Sequence, residues 1–385
     1  MKLPTILGLI LLLPPVLKPQ SEDAGIMGPE GKNVGQTILE KREILDALRK
    51  ANSYQLAHPV LDPSEAAEPL RHLWLRVTWY TGVVAAWKAT GDPSFLEQSL
   101  AYGRGLHWQV GEDPDGPNRL FPIQLWAELY LAKSDRAMIE PSIKWLATPG
   151  PLTPEGSKLW YMDAQNADSP PIPYVDSLYG APALAMLAKI TGNVEYRHVM
   201  DAYFDAVTAR LFDHESGLYY RDPNFIGRKT PNGRKILWSR GNGWAFAGIP
   251  RVLNYFPDQD PGRERYLAIF RRMAPELVKR QGADGLWRMN LDDQDQFPSP
   301  ETSGSGFFCF GLAWGINHGV LSRKDYFPAV EKAWAGLVRN LSPEGRILSG
   351  QQEDGEPNPI VRDSTPEFVT GAFMLAGSEV YKLAP

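Results

Sequence analysis

Apolar side chains recur along most of this chain at steps of three and four residues, the period of an amphipathic α-helix. Five segments carry such a face, and each predicts a helix. Sustained alternation of apolar and polar positions is scarce, so only short strands are expected, near Gly217–Arg221 and Lys235–Trp238. The apolar faces comprise Leu73, Val77, Tyr80, Val84 and Trp87; Tyr196, Val199, Met200, Tyr203, Phe204, Val207 and Leu211; Tyr266, Ile269, Phe270, Met273 and Leu277; Phe327, Val330, Trp334, Leu337 and Val338; and Val369, Ala372, Phe373, Ala376 and Val380.

Short connections between the predicted helices share one composition. A Gly ends the first helix in the left-handed conformation, an Asp, Asn or Ser caps the next helix, and a Pro suits its first turn. Such segments predict tight turns between antiparallel helices. They are Thr90-Gly91-Asp92-Pro93, Thr191-Gly192-Asn193, Asp260-Pro261-Gly262 and Leu321-Ser322-Arg323.

Long loops rich in Pro, Gly, Asp and Trp join the opposite ends of the helices. Short turns on one side and long loops on the other favour an all-α toroid of six helical hairpins, an (α/α)6 barrel. At roughly 30 residues for a helix and its loop, the chain has room for about twelve helices. No Pro/Ser linker interrupts the chain after residue 40, so residues 41–385 are predicted to form a single domain. The long loops are residues 109–121, 147–176, 217–243, 281–306 and 342–366.

The N-terminal segment has the pattern of a secretory signal peptide. Lys2 precedes an apolar stretch from Leu3 to Leu17, and a polar run follows. The stretch is too short for a typical membrane span, so we expect cleavage rather than stable membrane insertion, with an uncleaved anchor as the alternative. Residues 1–25 are assigned to the signal peptide and the Gly-rich residues 26–40 to a flexible lead-in. This predicts a periplasmic or secreted protein.

Composition narrows the function classes. The 385 residues are 43% apolar and carry a formal net charge of −5, without the clustered Lys and Arg that a nucleic-acid surface needs. The single cysteine, Cys309, rules out an intrachain disulfide or a multi-cysteine zinc site. The six His residues show no metal-binding spacing. Gly241-Asn242-Gly243 predicts a tight turn, but it follows no parallel-sheet pattern, so a phosphate loop is not expected.

The long loops combine aromatic residues with carboxylates and arginine. Aromatic faces stack on sugar rings, and charged groups hold hydroxyls or acids, so this mixture suits a saccharide groove; the alternative is that the tryptophans fill the core. Hydrolysis of an ordinary glycoside would use two carboxylates, and sequence spacing leaves open which pair would face each other. The residues concerned are Trp160, Tyr161, Asp163, Asp168, Tyr174, Asp176, Tyr179, Trp238, Arg240, Asn242, Trp244, Asp284, Trp287 and Glu301.

Four segments resemble the unsaturated glycuronyl hydrolases of glycoside hydrolase families 105 and 88, with the closer likeness to family 105. They are Val175–Tyr179, Trp238–Trp244, Pro300–Phe307 and Thr370–Glu379. The resemblance extends from about Trp74 to the C-terminus and implies an (α/α)6 barrel. It also implies an enzyme without metal or cofactor that acts on acidic oligosaccharides produced by polysaccharide lyases. Such enzymes release the terminal uronic acid by hydrating its C4=C5 double bond.

The resemblance also implies roles for individual residues. Asp176 matches the general acid/base, and burial among aromatic residues would raise its pKa; the alternative is that it only caps a helix near Ser177. Arg240 matches a residue that would hold the uronate carboxylate, and Trp244 one that would stack on the unsaturated ring. The resemblance also places Arg221, Trp238, Asn242 and Tyr179 in the substrate site.

One position departs from the family pattern. Many relatives carry an acidic residue shortly before the helix that starts near Gln124, where this chain has Asn118-Arg119. Asp113 and Asp115 are the nearby carboxylates that would replace it. Two other readings stay open: a two-carboxylate glycosidase or uronate lyase on the same fold, favoured if Asp176 faced Glu301, and a sugar-binding homologue that has lost catalysis.

Overall fold

The computed structural model describes residues 39–59, 73–113, 116–148 and 172–385, so the predicted signal peptide lies outside the described residues. Within this part of the chain, twelve α-helices and four two-residue strands are formed. The helices are Lys41–Ala57, Leu73–Thr90, Pro93–Gly105, Leu120–Lys133, Glu140–Leu146, Pro182–Thr191, Glu195–Leu211, Ser239–Leu253, Arg263–Lys279, Thr302–Asn317, Arg323–Arg339 and Glu367–Leu383, and the strands are Phe212–Asp213, Leu218–Tyr219, Trp287–Arg288 and Pro300–Glu301.

Six helices form a closed inner ring, in which each packs against the next and the last packs against the first. Outer helices such as Arg263–Lys279 pack against the ring helix before them. The predicted (α/α)6 barrel is confirmed. The ring consists of Leu73–Thr90, Leu120–Lys133, Pro182–Thr191, Ser239–Leu253, Thr302–Asn317 and Glu367–Leu383.

Inner and outer helices differ in their burial. Ser239–Leu253 is buried at every position, whereas Arg263–Lys279 buries one face that includes the predicted Tyr266, Phe270 and Met273. The outer helix therefore keeps exposed positions along its length, whereas this inner helix has none.

Two glycines close the ring. A Cβ on Gly82 would lie 2.5 Å from the Gly371 carbonyl oxygen, and one on Gly371 would lie 2.3 Å from that of Thr78. The first and last ring helices therefore touch backbone to backbone, which a side chain would prevent.

Two of the four short turns are built as predicted. In the other two, Gly262 has a φ of −64° and is not left-handed, and Ser322 makes no side-chain capping hydrogen bond. Gly91 and Gly192 have left-handed φ angles of 75° and 73°. Asp92 accepts a hydrogen bond from the Ser94 N–H, and Asn193 accepts one from the Glu195 N–H. All of the inner helices consequently start at the end of the barrel that carries the long loops.

One of the two strand predictions is confirmed. Leu218–Tyr219 pairs antiparallel with Phe212–Asp213. Lys235–Trp238 forms isolated antiparallel bridges, Lys235 with Lys229 and Trp238 with Asn290, rather than a continuous strand. Between these bridges, the side-chain amide of Asn290 bonds to the backbone of the segment. It accepts from the Leu237 N–H at 3.1 Å and donates to the Lys235 carbonyl at 3.1 Å.

The predicted turn at Gly241-Asn242-Gly243 is wrong, since these residues belong to the first turns of helix Ser239–Leu253. Their glycines permit close packing instead of a change of direction. A Cβ on Gly241 would lie 2.7 Å from the Trp238 ring, and one on Gly243 would lie 3.1 Å from the Phe307 ring. The loops predicted at 217–243 and 281–306 therefore end a few residues early.

Candidate active site

The long loops and the N-terminal turns of the inner helices enclose a cavity of about 590 Å³. Its lining combines aromatic rings, guanidinium groups and carboxylates, the mixture that the loop composition predicted. The lining residues are Trp74, Asn118, Phe121, Tyr174, Asp176, Arg221, Asp222, Asn224, Phe225, Arg228, Trp238, Arg240, Trp244, Glu353, Asp354, Gly355 and Glu356.

Asp176 lies on a 3-10 turn, Val175–Tyr179, whose position is fixed at both ends. The Val175 N–H donates to the Arg221 carbonyl at 2.8 Å, and the Gln124 side chain donates to the Tyr179 carbonyl at 2.7 Å. Asp176 makes no capping hydrogen bond, so the alternative role as a helix cap has no support in the geometry. Its carboxyl group is instead directed into the cavity.

The surroundings of this carboxyl group favour its protonated form. Oδ1 is buried without a hydrogen-bond partner among the described residues, and Oδ2 lies 3.8 Å from Arg221 Nε. Burial raises the pKa of Asp176 to about 6, although the guanidinium groups of Arg221 and Arg240 act in the opposite direction. A carboxylic acid with such a pKa can donate a proton near neutral pH.

Arg221 follows strand Leu218–Tyr219 and lies beside Asp176. Its Nη1 donates to Asp222 at 2.8 Å, and its guanidinium lies over the Tyr174 ring at 5.1 Å. Asn242 fixes the strand, because its amide exchanges two hydrogen bonds with the Tyr219 backbone, at 2.8 and 3.0 Å. Asn242 is buried and does not line the cavity, so it supports the site from behind.

Arg240 lines the cavity, but its N–H groups donate hydrogen bonds to backbone carbonyls of the protein itself. Nη1 donates to the Gln351 carbonyl at 3.1 Å, and Nη2 donates to the carbonyls of Gln352 and Asp354 at 2.9 and 3.2 Å. The side chain is 1% exposed and packs between Trp238 and Phe368, and burial lowers its pKa to about 10. Arg240 thus holds the loop that forms the opposite wall; its direct grip on a uronate carboxylate stays a prediction.

Trp244 and Trp238 form part of the aromatic wall. Trp244 packs against Phe307 at 4.4 Å and Tyr179 at 4.8 Å between ring centroids, and Trp238 Nε1 donates to the Gln351 side chain at 2.8 Å. Both tryptophans line the cavity, whereas Tyr179 is fully buried behind Trp244 and does not. Contacts on the inner side hold these rings in a fixed orientation.

Other residues suggested by the loop composition lie elsewhere. Glu301 caps helix Thr302–Asn317, where its two oxygens accept from the N–H groups of Ser303 at 2.7 Å and Gly304 at 2.6 Å. It is fully buried and does not line the cavity, so it does not form a catalytic pair with Asp176. Trp287 is fully buried and Asp284 pairs with Arg288, both away from the cavity; Trp160, Tyr161, Asp163 and Asp168 lie outside the described residues.

Asn118 occupies the position where an acidic residue was expected. It lines the cavity, donates to Asp113 Oδ2 at 3.1 Å and accepts from the Tyr174 hydroxyl at 3.3 Å. Asp113 is buried behind the side-chain amide of Asn118, and Asp115 lies outside the described residues. An amide therefore faces the cavity here, with the carboxylate screened behind it.

Sequence reasoning missed several lining residues. Trp74 was named only as the approximate start of the resemblance, and no motif identified Phe225, Arg228 or loop 353–356. The run Glu353-Asp354-Gly355-Glu356 was a usable signal, because three carboxylates in four residues are unexpected in a site for an acidic sugar.

Among the described residues no group of three or more His, Cys, Asp or Glu side chains is placed to hold a metal ion, and no helix is long and apolar enough to cross a membrane.

Comparison with known proteins places the chain in a family. The model of Glycosyl Hydrolase Family 88 matches residues 47–384. An unsaturated 3S-rhamnoglycuronyl hydrolase from Formosa agariphila is 32% identical over 91% of this chain and 94% of its own length. Among solved structures, a family 88 glycosyl hydrolase from Bacteroides vulgatus has a TM-score of 0.74 at 30% identity, covering 89% of this chain and 99% of that one.

A second solved structure, described as a polysaccharide lyase, has a TM-score of 0.75 at 30% identity and covers 89% of this chain and 98% of its own. One fold therefore carries both hydrolase and lyase names among the relatives. The resemblance read from the four sequence segments is confirmed by the family model, the relative and the fold. This chain belongs to Glycosyl Hydrolase Family 88 and is a hydrolase.

Proposed function

We propose that this enzyme removes a terminal 4,5-unsaturated uronic acid from lyase-generated oligosaccharides by hydrating the C4=C5 double bond. One observation carries the proposal: among the described residues that line the cavity, Asp176 is the carboxyl group whose pKa is raised by burial, and it lies beside the guanidinium of Arg221. The other buried carboxylate of the lining, Asp222, accepts a hydrogen bond from that same guanidinium. Hydration of a vinyl ether needs one proton donor near a bound carboxylate, whereas an ordinary glycosidase needs two facing carboxylates. The name of the Formosa agariphila relative agrees with this reaction.

In the proposed reaction, Asp176 donates its proton to C4 and leaves positive charge shared between C5 and the ring oxygen. Water then adds to C5, and the Asp176 carboxylate takes a proton from it. The resulting hemiketal opens at the bond between C5 and the ring oxygen, which gives a ketone at C5 and a hemiacetal at C1. The hemiacetal then collapses to an aldehyde and releases the neighbouring sugar as an alcohol. One water is consumed, and the acid returns to its starting state.

The cavity walls assign the binding roles. Arg221 is the guanidinium nearest to Asp176, so we assign it the uronate carboxylate, in a charge-assisted hydrogen bond. Trp244 and Trp74 lie edge to face at 6.4 Å in the lining, and we assign them the contact with the unsaturated ring. Arg240 acts through the loop that it holds.

A uronate lyase is the second candidate, and the likeness to a structure described as a polysaccharide lyase favours it. A lyase abstracts the C5 proton and creates the C4=C5 bond instead of consuming it. The two reactions therefore change the ultraviolet absorbance of the conjugated uronate in opposite directions.

Absorbance of this chromophore tests the proposal directly. Purified enzyme is mixed with intact acidic polysaccharides and with their lyase digests, beside an Asp176→Asn variant. Absorbance that falls on a digest with wild type alone supports hydration. A rise on an intact polysaccharide would replace hydration with the lyase reaction, and a constant signal on every substrate would favour a sugar-binding homologue.

Export is proposed from Lys2 and the apolar stretch up to Leu17 alone. The full-length chain is expressed in a Gram-negative host, and the periplasmic fraction is analysed for a shortened N-terminus. A full-length cytoplasmic product would contradict export.

A further inference from the structure

The turn Val175–Tyr179 ends on three buried side chains that lie behind the cavity. The side-chain amide of Gln124 donates to the Tyr179 carbonyl at 2.7 Å, and its oxygen accepts from Arg251 Nε at 3.1 Å. Arg251 Nη2 donates in turn to Glu128 Oε1 at 3.2 Å. Each of these three side chains belongs to a residue that is at most 4% exposed and does not line the cavity. We call Gln124, Arg251 and Glu128 the support network.

Arg251 decides which way the Gln124 amide points. A guanidinium has only donors, so the atom that faces Arg251 Nε must be the amide oxygen. The amide nitrogen is then left to face the Tyr179 carbonyl, which can only accept. Because neither partner can exchange its role, the amide is fixed in one orientation.

A buried cluster of charge holds Arg251 itself. Glu128 Oε1 also accepts from the Tyr255 hydroxyl at 3.1 Å and lies 3.4 Å from Lys88 Nζ. Burial would raise the pKa of Glu128, but Lys88 and Arg251 hold it below its ordinary value, so the carboxylate stays charged. Apolar side chains of similar size often stabilise a fold as well as a buried ion pair does. The arrangement that the cluster imposes therefore explains it better than added stability.

Helix Ser239–Leu253, which carries Arg251, touches the turn at a second place. A Cβ on Gly248 would lie 2.4 Å from the Leu178 carbonyl oxygen, so helix and turn are in backbone contact. The Arg251 guanidinium also lies 5.7 Å from the centroid of the Tyr179 ring. In such close packing, a shift of the support network is passed on to the turn.

We propose that Gln124 and Arg251 are positioning residues that hold the Asp176 carboxyl group in its buried place in the cavity. The inference rests on the proposed function, because it adds a role within that reaction. Neither residue lines the cavity, so both act through the turn. A displacement of about 1 Å at a reacting group can lower turnover about a hundredfold. A carboxyl group that becomes less buried also loses the increase in its pKa.

The charged and titratable groups that face Asp176 stay unchanged in the test. Arg221 and Arg240 favour its charged form, whereas Asp222 disfavours it, and the Tyr203 hydroxyl is the remaining titratable neighbour. A change in the pKa of Asp176 therefore reports a change in its burial or in its distance from these four groups.

The test uses Gln124→Met, Arg251→Lys and the double variant of the full-length enzyme. Gln124→Met removes both ends of the amide at similar size. Arg251→Lys keeps a cation beside Glu128, so that the buried carboxylate is not left alone, but it lacks the Nε–H that orients the amide. Gln281→Met is the matched control, because Gln281 also donates to two backbone carbonyls, at 2.9 Å each, and does not line the cavity.

Turnover is measured from the loss of absorbance, and the pKa of Asp176 is measured from the difference in proton uptake between each protein and its Asp176→Asn counterpart. Each single variant should lower kcat by about tenfold to a hundredfold at nearly constant KM. The pKa of Asp176 should fall from about 6 towards 3.8. Activity on the alkaline side should then be lost at lower pH, since a general acid works only below its pKa. The double variant should lose no more than the larger single loss.

An unchanged pKa of Asp176 in Gln124→Met would overturn the inference, because the carboxyl group would then have kept its place. Losses in kcat that multiply in the double variant would overturn the link through Arg251. Gln281→Met should match wild type, and an equal shift there would overturn the inference by showing a general effect of losing an amide. Proton uptake is read without turnover, so a failure of the proposed reaction is a separate result.

Discussion

Asp176 and Glu301 are two carboxylates at the loop end of the barrel, and each lies near the start of a helical segment. They differ in how many hydrogen bonds their oxygens accept. Glu301 accepts N–H groups on both oxygens and is fully buried. Asp176 has one oxygen with no hydrogen-bond partner among the described residues and the other 3.8 Å from Arg221. The Glu301 carboxylate caps a helix, and the Asp176 carboxyl group is available for catalysis.

The loop that begins at Gln351 lies between the two carboxylates. The Gln351 N–H approaches Glu301 at 3.5 Å, and Gly355 contacts Arg221, the neighbour of Asp176. Glu301 therefore belongs to the support of the wall, while Asp176 belongs to the cavity that the wall encloses. The comparison teaches that burial alone does not mark a catalytic acid; an unfilled acceptor inside a cavity does.

The largest expected effect is on activity. Asp176→Asn removes the proton donor and should lower kcat by about a thousandfold or more, the contribution of general acid–base catalysis. Glu301→Gln is the matched amide substitution and should keep kcat within about tenfold of wild type, because Glu301 does not reach the cavity. Both values come from the absorbance assay at saturating substrate. An active Asp176→Asn enzyme would break the distinction between the two acids.

The pH dependence of stability is the next effect. The folded-state pKa of Asp176 is raised from 3.8 to about 6, so its stabilising contribution is complete below pH 3.8 and lost as pH rises through 6. Two pKa units correspond to about 3 kcal/mol. The unfolding free energy of wild type relative to Asp176→Asn should fall by that order between pH 4 and pH 7, measured in urea. Parallel curves for the two proteins would show that Asp176 is not desolvated.

The fold was largely readable from the sequence because outer helices carry one apolar face and short turns carry Gly and capping residues. Asp92 and Gly91 show this most directly. The helix at Ser239–Leu253 was harder to read, because the glycines in its first turns imitate a turn. Close packing around Gly241 and Gly243 depends on distant residues that local sequence does not specify.

The site was readable where a motif marks it. Asp176 and Trp244 were predicted from their motifs, and both line the cavity. The same motifs also contain Asn242 and Tyr179, which lie behind the lining, since a motif does not separate lining from supporting residues. The hydrogen bond between Arg240 and Gln351 joins residues 111 positions apart in the sequence. Only the folded structure therefore shows that Arg240 holds the loop that forms one wall of the cavity.

A smaller effect on stability should come from the structural acid. Glu301→Gln leaves one of the two helix N–H groups, those of Ser303 and Gly304, without a carboxylate acceptor, and should lower the unfolding free energy by about 2 kcal/mol at pH 7. Asp135→Asn is the control, because Asp135 is an exposed cap and Asn caps nearly as well. Denaturant midpoints at equal slope measure the difference. Equal losses in the two variants would remove the structural role assigned to Glu301.

The smallest effect concerns the loop between the two acids. Gly355→Ala places a methyl group 3.3 Å from the Arg221 guanidinium, which must shift by a few tenths of an ångström. Because Arg221 is assigned to the uronate carboxylate, KM should rise by about threefold while kcat stays nearly constant, the pattern of lost ground-state binding. Gly105→Ala is the control, since nothing lies within 4 Å of the added methyl group. A fall in kcat without a change in KM would instead place the loop against Asp176 and remove Arg221 from substrate binding.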